Sequence, residues 1–269
     1  MLQVISISAS KAAPAVGITL ANLTFAHTAP TFMRPFESGG GGDWSFYRGG
    51  AVVLEGTHDV TIAGCTFWSP GGNGLIISGH NRNATVTRSH FAYAGDSAIV
   101  SAGRGAGSMD AVAGDYPAGT RILYNLVREI GLYVKQSGFY YHSLSANATI
   151  EGNVAFNMPR AGININDGFA GGHAIVKNLI FNSVRETSDH GCVNTWDRQP
   201  YVTHEFNLTD LLPSPSVIDG NYFVNNYHST WPIDHDDGSN SWVATNNLLL
   251  WGSFKYVIWA GMCVRYLLE

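Results

Sequence analysis

The chain has 269 residues, 45% of them hydrophobic and only 13% charged, with a formal charge of −5 at neutral pH. That is enough apolar material for a continuous core. There is no basic excess to hold nucleic acid or an anionic membrane by counterion release. No apolar run reaches about 18 residues, so no transmembrane helix is expected.

The 31 glycines and 10 prolines punctuate the chain with tight turns, a balance that suits repeated short strands better than helices. Met1 to Val16 carries Val4, Ile5 and Ile7 but has Lys11 in its middle and no small-residue cleavage site. It therefore reads as a first strand and not as a clear signal peptide. Sequons at Asn22, Asn83, Asn147 and Asn207 would permit glycosylation, but a chain this rich in Asn, Ser and Thr yields several by chance, so they add little to the expectation of an extracellular or secretory location. Cys65, Cys192 and Cys263 are odd in number and far apart, which argues for buried thiols over disulfides or a zinc site.

From Gly50 onward a unit recurs: a glycine, an alternating apolar strand, a turn, a second strand ending at Asn or a small residue, then an aromatic or aliphatic residue. Copies run from Gly50 through AVVLEGTHDVTIAGCTF, from Gly74 through LIISGHNRNATVTRSHF, from Gly131 to ATIEGNVAF and from Gly162 to AIVKNLIF, followed by SVIDGNYF and WVATNNLLL. With Cys65, Ser89, Asn125, Asn153, Asn178, Asn221 and Asn247 taken as equivalent, the steps are 24, 36, 28, 25, 43 and 26 residues. The two long steps contain Gly- and Pro-rich insertions, Gly103 to Gly119 and Arg198 to Pro215, read as projecting loops. A period in the twenties with period-two alternation predicts an all-β, right-handed parallel β-helix: a single-stranded solenoid, and not a leucine-rich horseshoe.

The fold assigns roles to residue types. Strands stacked about 4.8 Å apart place equivalent residues in columns. The five asparagines should form an amide ladder at a bend, and Phe67, Phe91, Phe156, Phe181 and Phe223 should stack in the interior. The chain is expected to be one domain, 1–269, incomplete at both ends, with 255–269 either foreign to the solenoid or a capping segment.

Aligning the strands after the glycines sets GLYVKQSG, GININDG, GCVNTWDR and WPIDHDDG in neighbouring coils. If Leu132, Val134, Ile163, Ile165 and Ile233 point inward, then Tyr133, Lys135, Asn164, Asn166, Asp234 and Asp236 face out, joined by Thr195 and Asp197. Acidic residues crowd this stretch: Asp167, Glu186, Asp189, Asp197, Asp234, Asp236 and Asp237. Mutual repulsion among carboxylates costs stability and suggests a chemical purpose, here a general acid and its partner. The candidate catalytic residues are Glu186, Asp189, Asp197, Asp234 and Asp236. The candidate substrate-binding residues are Lys135, Asn164, Asn166, Asp167, Arg185, His190, Trp196, Arg198, Trp231 and His235. Tyr140, Tyr141, Phe169 and Tyr201 could stack on sugars, and His142 and His173 could hydrogen-bond, although for any one of these a packing role is the blander reading. No cofactor and no metal-ligand set is read. DHDDGSN offers oxygen atoms to calcium but lacks the spacing of an EF-hand loop.

The blocks LTFAHTAPTFM, GGDWSFYRGGAVVLEG, PRAGININDGFAGG, FNSVRETSDHGCVNTWDRQPY and NYHSTWPIDHDDGS resemble right-handed β-helix repeat proteins of the pectate-lyase-like superfamily, over roughly residues 16 to 255. RETSDHG also resembles a segment common in β-helix glycoside hydrolases. The resemblance implies the fold; a polysaccharide or oligosaccharide partner and a monomeric state are expected. It does not settle the reaction, because the fold hosts lyases, hydrolases, epimerases and adhesins. A glycoside hydrolase is the first expectation. A polysaccharide lyase or uronate C5-epimerase, with Lys135, Arg160 or Arg198 neutralising a carboxylate and His190 taking a proton, is the second; a non-catalytic glycan-binding protein is the third.

Overall fold

The structure is a computed structural model that describes residues 1–38, 44–104, 115–166, 171–196, 201–203, 211–224, 231–236, 239, 241–252 and 254–256. Among them there is no helix; short strands stack into three parallel sheets. The first sheet runs through Ile5–Ser8, Val52–His58, Leu75–Arg82, Ile99–Ala102, Tyr140–Ser143, Ile163–Asn166, Val193–Trp196, Ile233–His235 and Phe254–Tyr256, which number the coils one to nine. The second starts at Thr19–Ala21 and ends at Trp242–Thr245; the third starts at Thr24–Ala26 and ends at Leu248–Leu250. Of the second insertion, the described part is an antiparallel pair, Tyr201–Thr203 with Leu211–Pro213.

The inside is filled by the central residue of each short strand. Ile62, Val86, Ile122, Ile150, Ile175 and Ile218 come from the second sheet, and Phe67, Phe91, Val127, Ala155, Ile180 and Phe223 from the third, all fully buried. The rings of Phe67 and Phe91 stack at 4.3 Å. Phe156 and Phe181 depart from the expected interior stack. They stack on each other at 4.8 Å but occupy the third position of their strands, where alternation turns them to the outer face, half-buried. An Asn-X-X-Phe spacing puts Phe outside, whereas the Cys65-X-Phe67 and Asn221-X-Phe223 spacing puts it inside.

The bend between the second and third sheets explains the asparagines. Each coil turns there through one left-handed residue: Gly64, Arg88, Tyr124, Gly152, Lys177, Gly220 and Asn246 all have φ between 49° and 66°. The next residue is the ladder position. Asn125, Asn153, Asn178 and Asn221 each donate from Nδ2 to the Oδ1 of the next coil's asparagine at 2.9–3.0 Å, and that same Oδ1 accepts the backbone N–H of the coil before. Ser89 continues the column by accepting from the Cys65 N–H at 3.1 Å. Asn178→Ala would leave the Asn153 N–H unpaired in the interior, take from the Asn153 amide one of its two acceptors, and lose the bonds of Asn178 Nδ2 to the Ile150 carbonyl and Asn221. At about 1 kcal/mol per net bond, more where a donor is left unpaired, it is expected to cost roughly 3–5 kcal/mol in denaturant unfolding. Asn178→Ser should recover part of that, as Ser89 does naturally.

Among the described glycines, the tightest close approach is at Gly191. A Cβ on Gly191 would lie 1.7 Å from the carbonyl oxygen of Trp231 in the next coil. The strand of coil eight would have to move, so Gly191→Ala is expected to destabilise by on the order of 3 kcal/mol, read as a lowered unfolding midpoint. Cys65 and Cys192 are buried free thiols, and burial pushes the Cys192 thiol up to about 12. Cys263 lies outside the described residues.

The outer face of the first sheet is not bare. Val53, Ile76, Val100 and Tyr141 form an apolar outward column under Trp44 and Phe46, which arrive on a strap formed by residues 44–48. Arg48 fastens the strap. It takes both Glu37 oxygens at 2.7 and 2.8 Å and donates to Ser78 Oγ and to the carbonyls of Ala102 and Gly103 at 3.0–3.2 Å. Gln136 Oε1 accepts from the Ser45 N–H and hydroxyl at 3.0 and 3.1 Å.

Candidate active site

Beyond the strap the same outward column turns polar. Strand register places Tyr141, Asn164, Asn194 and Asp234 in line across coils five to eight, and Ser143, Asn166 and Trp196 in the neighbouring line, which Asp236 extends. Asn164, Asn194 and Asp234 are buried at 0–1% exposure, while Trp196, Trp231 and Asp236 are half-buried and Asp189 is exposed. The arrangement has a floor and a rim. Asn194 Nδ2 donates to Asp234 Oδ2 at 3.2 Å, and His190 Nδ1 lies 4.0 Å from the same oxygen. Neither amide atom of Asn164 has a hydrogen-bond partner, although the side chain is fully buried. An unpaired buried amide costs roughly 1–3 kcal/mol.

His190 joins this floor from the turn that precedes coil seven, against the strap. Its ring stacks 5.7 Å from Trp44, whose other neighbours include Tyr141, stacked nearly parallel at 5.5 Å, and the Arg160 guanidinium 5.2 Å from the ring centre. Burial, helped by the Arg160 charge, holds the His190 imidazole down to about 4, against the opposing pull of the Asp189 carbonyl and the Asp189 and Asp236 carboxylates. It is neutral at physiological pH.

Several expected placements differ. Residues 131–138 are not a strand; the coil-five strand is Tyr140–Ser143, so Tyr141 and Ser143 take the positions assigned to Tyr133 and Lys135. Leu132 is exposed, not inward. Lys135 instead pairs with Glu186 at 2.8 Å on the exposed turns leading into the sheet, and Arg185 pairs with Glu129 at 3.2 Å there. Thr195 points inward and Asn194 outward, because Val193 and not Cys192 aligns with Ile163 and Ile233. His235 is therefore also inside the solenoid, where its Nδ1 meets Thr195 Oγ1 at 2.6 Å, and His142 and His173 share the interior with their rings 4.5 Å apart. None of these three faces the groove. Tyr140 is interior as well. Asp167, Asp197, Arg198, Asp237 and Phe169, and the side chain of Tyr201, lie outside the described residues, as does part of DHDDGSN. Among the described residues, no cluster of three His, Cys, Asp or Glu side chains could hold a metal.

Trp44 and Asn194 are the site residues that sequence reasoning missed. Strict alternation from Val193 signals Asn194; Trp44 carries no signal of its own, since it reaches the site only through a long-range strap.

The sequence profile of the right handed beta helix region matches residues 43–208, more than half of the chain. The chain belongs to the right-handed β-helix family. In structure, this β-helix is similar to a protein described as a glycoside hydrolase, with a TM-score of 0.72 and 15% identity over 93% of this chain and 48% of that one. It is also similar to the A-module of the Azotobacter vinelandii mannuronan C-5 epimerase AlgE4, with a TM-score of 0.52 and 12% identity over 90% and 56% of the two chains. The alginate lyase from Paenibacillus sp. str. FPU-7 superposes with a TM-score of 0.50 and 9% identity over 93% and 78%. This β-helix spans about half the length of the glycoside hydrolase and of the epimerase module. At such identities the likeness is one of fold. No curated protein matches the chain by sequence.

Proposed function

We propose that this β-helix is a carbohydrate-active enzyme, and specifically a glycoside hydrolase whose acid and base are Asp234 and Asp236. The observation that carries the reading is the placing of Asp234 at the outward position of the coil-eight strand and of Asp236 just past the end of that strand, where its N–H continues the ladder to the Thr195 carbonyl, beside the unpaired amide of Asn164. Residues two apart on a strand are displaced by roughly 6.5–7 Å. That separation is within the range of about 6.5–9.5 Å that leaves room for a water in inverting glycosidases. Asp236, at the rim, takes a proton from water as its oxygen bonds to the anomeric carbon; Asp234, in its acid form, gives a proton to the departing glycosidic oxygen. Trp196 and Trp231 at the rim offer ring faces to a sugar. The structural similarity to a glycoside hydrolase supports the same reading through the fold alone.

One observation favours a second reading. A neutral His190 beside the Arg160 cation is the pairing that a lyase or C5-epimerase needs, a base for the C5 proton and a charge for the uronate carboxylate. A product screen on purified protein with neutral and uronic-acid polysaccharides, with and without chelator, separates the two. Hydrolysis yields new reducing ends of inverted anomeric configuration without ultraviolet absorbance. Unsaturated, ultraviolet-absorbing products would replace the hydrolase with a lyase, and altered uronate composition without chain cleavage would indicate an epimerase. The extracellular location and the monomeric state are parts of the same proposal.

A further inference from the structure

The line of outward residues that ends in Trp196 and Asp236 begins six coils earlier at Glu55 and runs through Ser78, Ala102, Ser143 and Asn166. At about 4.8 Å per coil its two ends are roughly 29 Å apart. The Glu55 end borders an open cavity of about 200 Å³ whose polar walls are Ser10, Lys11, Glu55, His80, Arg104 and Asp115. Four coils of chain build it. Gly56 lets the turn after the coil-one strand lie directly on coil two, where a Cβ would collide with the Ala9 carbonyl, and the Ala9 N–H donates to the Glu55 carbonyl at 2.9 Å. Lys11 stands on that turn, which the Ala13 N–H closes onto Ser10 at 3.1 Å. Arg104 arrives from coil four. It reaches across Gly79 of coil three, and its Nε and Nη2 both donate to Glu55 Oε1, the first at 2.9 Å. The Arg104 N–H donates to the Asp115 carbonyl at 2.7 Å, which sets Asp115 beside it. His80 is fixed by His58, Nε2 to Nε2 at 2.9 Å.

The charges around the cavity balance, Lys11 and Arg104 against Glu55 and Asp115. An ion of either sign therefore gains little net attraction there. Hydrogen-bonding capacity is left over in both senses. Both Arg104 contacts fall on one oxygen of Glu55, so Oε2 is left to accept, and among the described residues the Asp115 carboxylate accepts no hydrogen bond. Arg104 keeps Nη1 as a donor beside the Lys11 ammonium. Adjacent hydroxyls match such a set, because each gives a proton to a carboxylate and accepts one from a cation. The cavity is small beside the roughly 300–1,000 Å³ of sites for drug-sized molecules, which suits one ring and not an oligomer. We infer that this cavity binds a single uncharged sugar residue through neighbouring hydroxyls, at a site separate from the candidate active site. It shares no residue with the Asp234 and Asp236 reading, so the two stand or fall separately.

The test follows amide NMR spectra of the full chain titrated with D-glucose, D-mannose, D-galactose, D-xylose, D-galacturonate and glycine. At least one of the four neutral sugars is expected to bind in the millimolar range and to shift the Gly56, His80 and Asp115 amides, with galacturonate and glycine no tighter. Lys11 is exposed and Asp115 half-buried, so substitutions there leave the core untouched. Lys11→Met and Asp115→Ala should each weaken binding tenfold or more, and Asp234→Asn should leave it unchanged. Equal binding of the methyl glycoside of the same sugar would mark the ligand as a residue of a glycan chain, and loss of binding would mark it as a free sugar; both keep the site. Shifts centred on Asn194 and Asp234, or affinities unmoved by Lys11→Met and Asp115→Ala, would overturn the inference. Tenfold tighter binding of galacturonate or glycine would overturn it as well, by making the ligand an anion or a zwitterion, and so would the absence of any shift with all four sugars.

Discussion

Asp234→Asn is expected to lower turnover by roughly two to four orders of magnitude, the usual contribution of a positioned general acid, while leaving the fold intact. The substitution is close to isosteric, and the Asn194 amide that now donates to Asp234 Oδ2 finds a carbonyl oxygen in its place. Unfolding in urea should shift little, and substrate binding, measured as KM, should change far less than kcat. Asp236→Asn should lose activity of the same order, with a difference in what restores it. An external anion such as azide can replace the base that activates water, so azide should rescue the Asp236 variant and give the azide adduct, and should do so poorly for Asp234. Equal activity in both variants and the unsubstituted protein would end the two-carboxylate account, whatever the substrate.

Acid should unfold this protein well above the range in which surface carboxylates titrate. His142, His173 and His235 are buried inside the solenoid; burial holds His142 well below its ordinary value and His173 and His235 down to about 3, and His190 sits at about 4. These folded values are depressed below about 6.5, so the unfolded chain binds more protons than the folded one as pH drops through 6.5. Their contribution to stability is complete above that pH and is lost below it, at about 1.4 kcal/mol per pH unit for each imidazole. Asp96 runs the other way. Burial raises it to about 7, so the folded state keeps a proton that the unfolded state releases above about 3.8, and the group stabilises the fold progressively as pH falls from 7. It offsets one histidine. The net excess of about three protons gives a slope of roughly 4 kcal/mol per unit between pH 6.5 and about 4, read as a steep fall in the urea midpoint. His142→Leu should flatten that slope by about one proton and stabilise the protein at pH 5. The ring nitrogens of His142 have no well-aligned hydrogen-bond partner to lose, although the nearby Ser145 backbone slightly favours its protonated form. A slope unchanged by that substitution would show that His142 does not titrate as its burial requires.

Much of the architecture could be read from residue order. The spacing of Cys65, Ser89, Asn125, Asn153, Asn178, Asn221 and Asn247 located all but the first of the described bends between the second and third sheets, because a stacked amide is useful only if it recurs once per coil. The phase of individual strands was less legible. Gly131 was read as the residue before a strand, but coil five begins near Gly138, and Cys192 and Val193 are both apolar enough to open coil seven. A shift of one residue exchanges the two faces of a strand. That is why Thr195, expected in the groove, lies in the core, while Asn194 does the reverse.

The repeating unit, the ladder and the crowding of acidic residues after Asp189 were properties of the sequence by itself, since each follows from neighbours along the chain or from a fixed period. What closes the candidate site was decided only in three dimensions. Trp44 lies more than a hundred residues before Asn164 and His190, and no period connects them; it reaches them because a strap pinned by Arg48 and Gln136 lies across the stacked coils. Periodic patterning can say which residues share a column. Where a non-repeating segment crosses that column depends on contacts that no local rule contains.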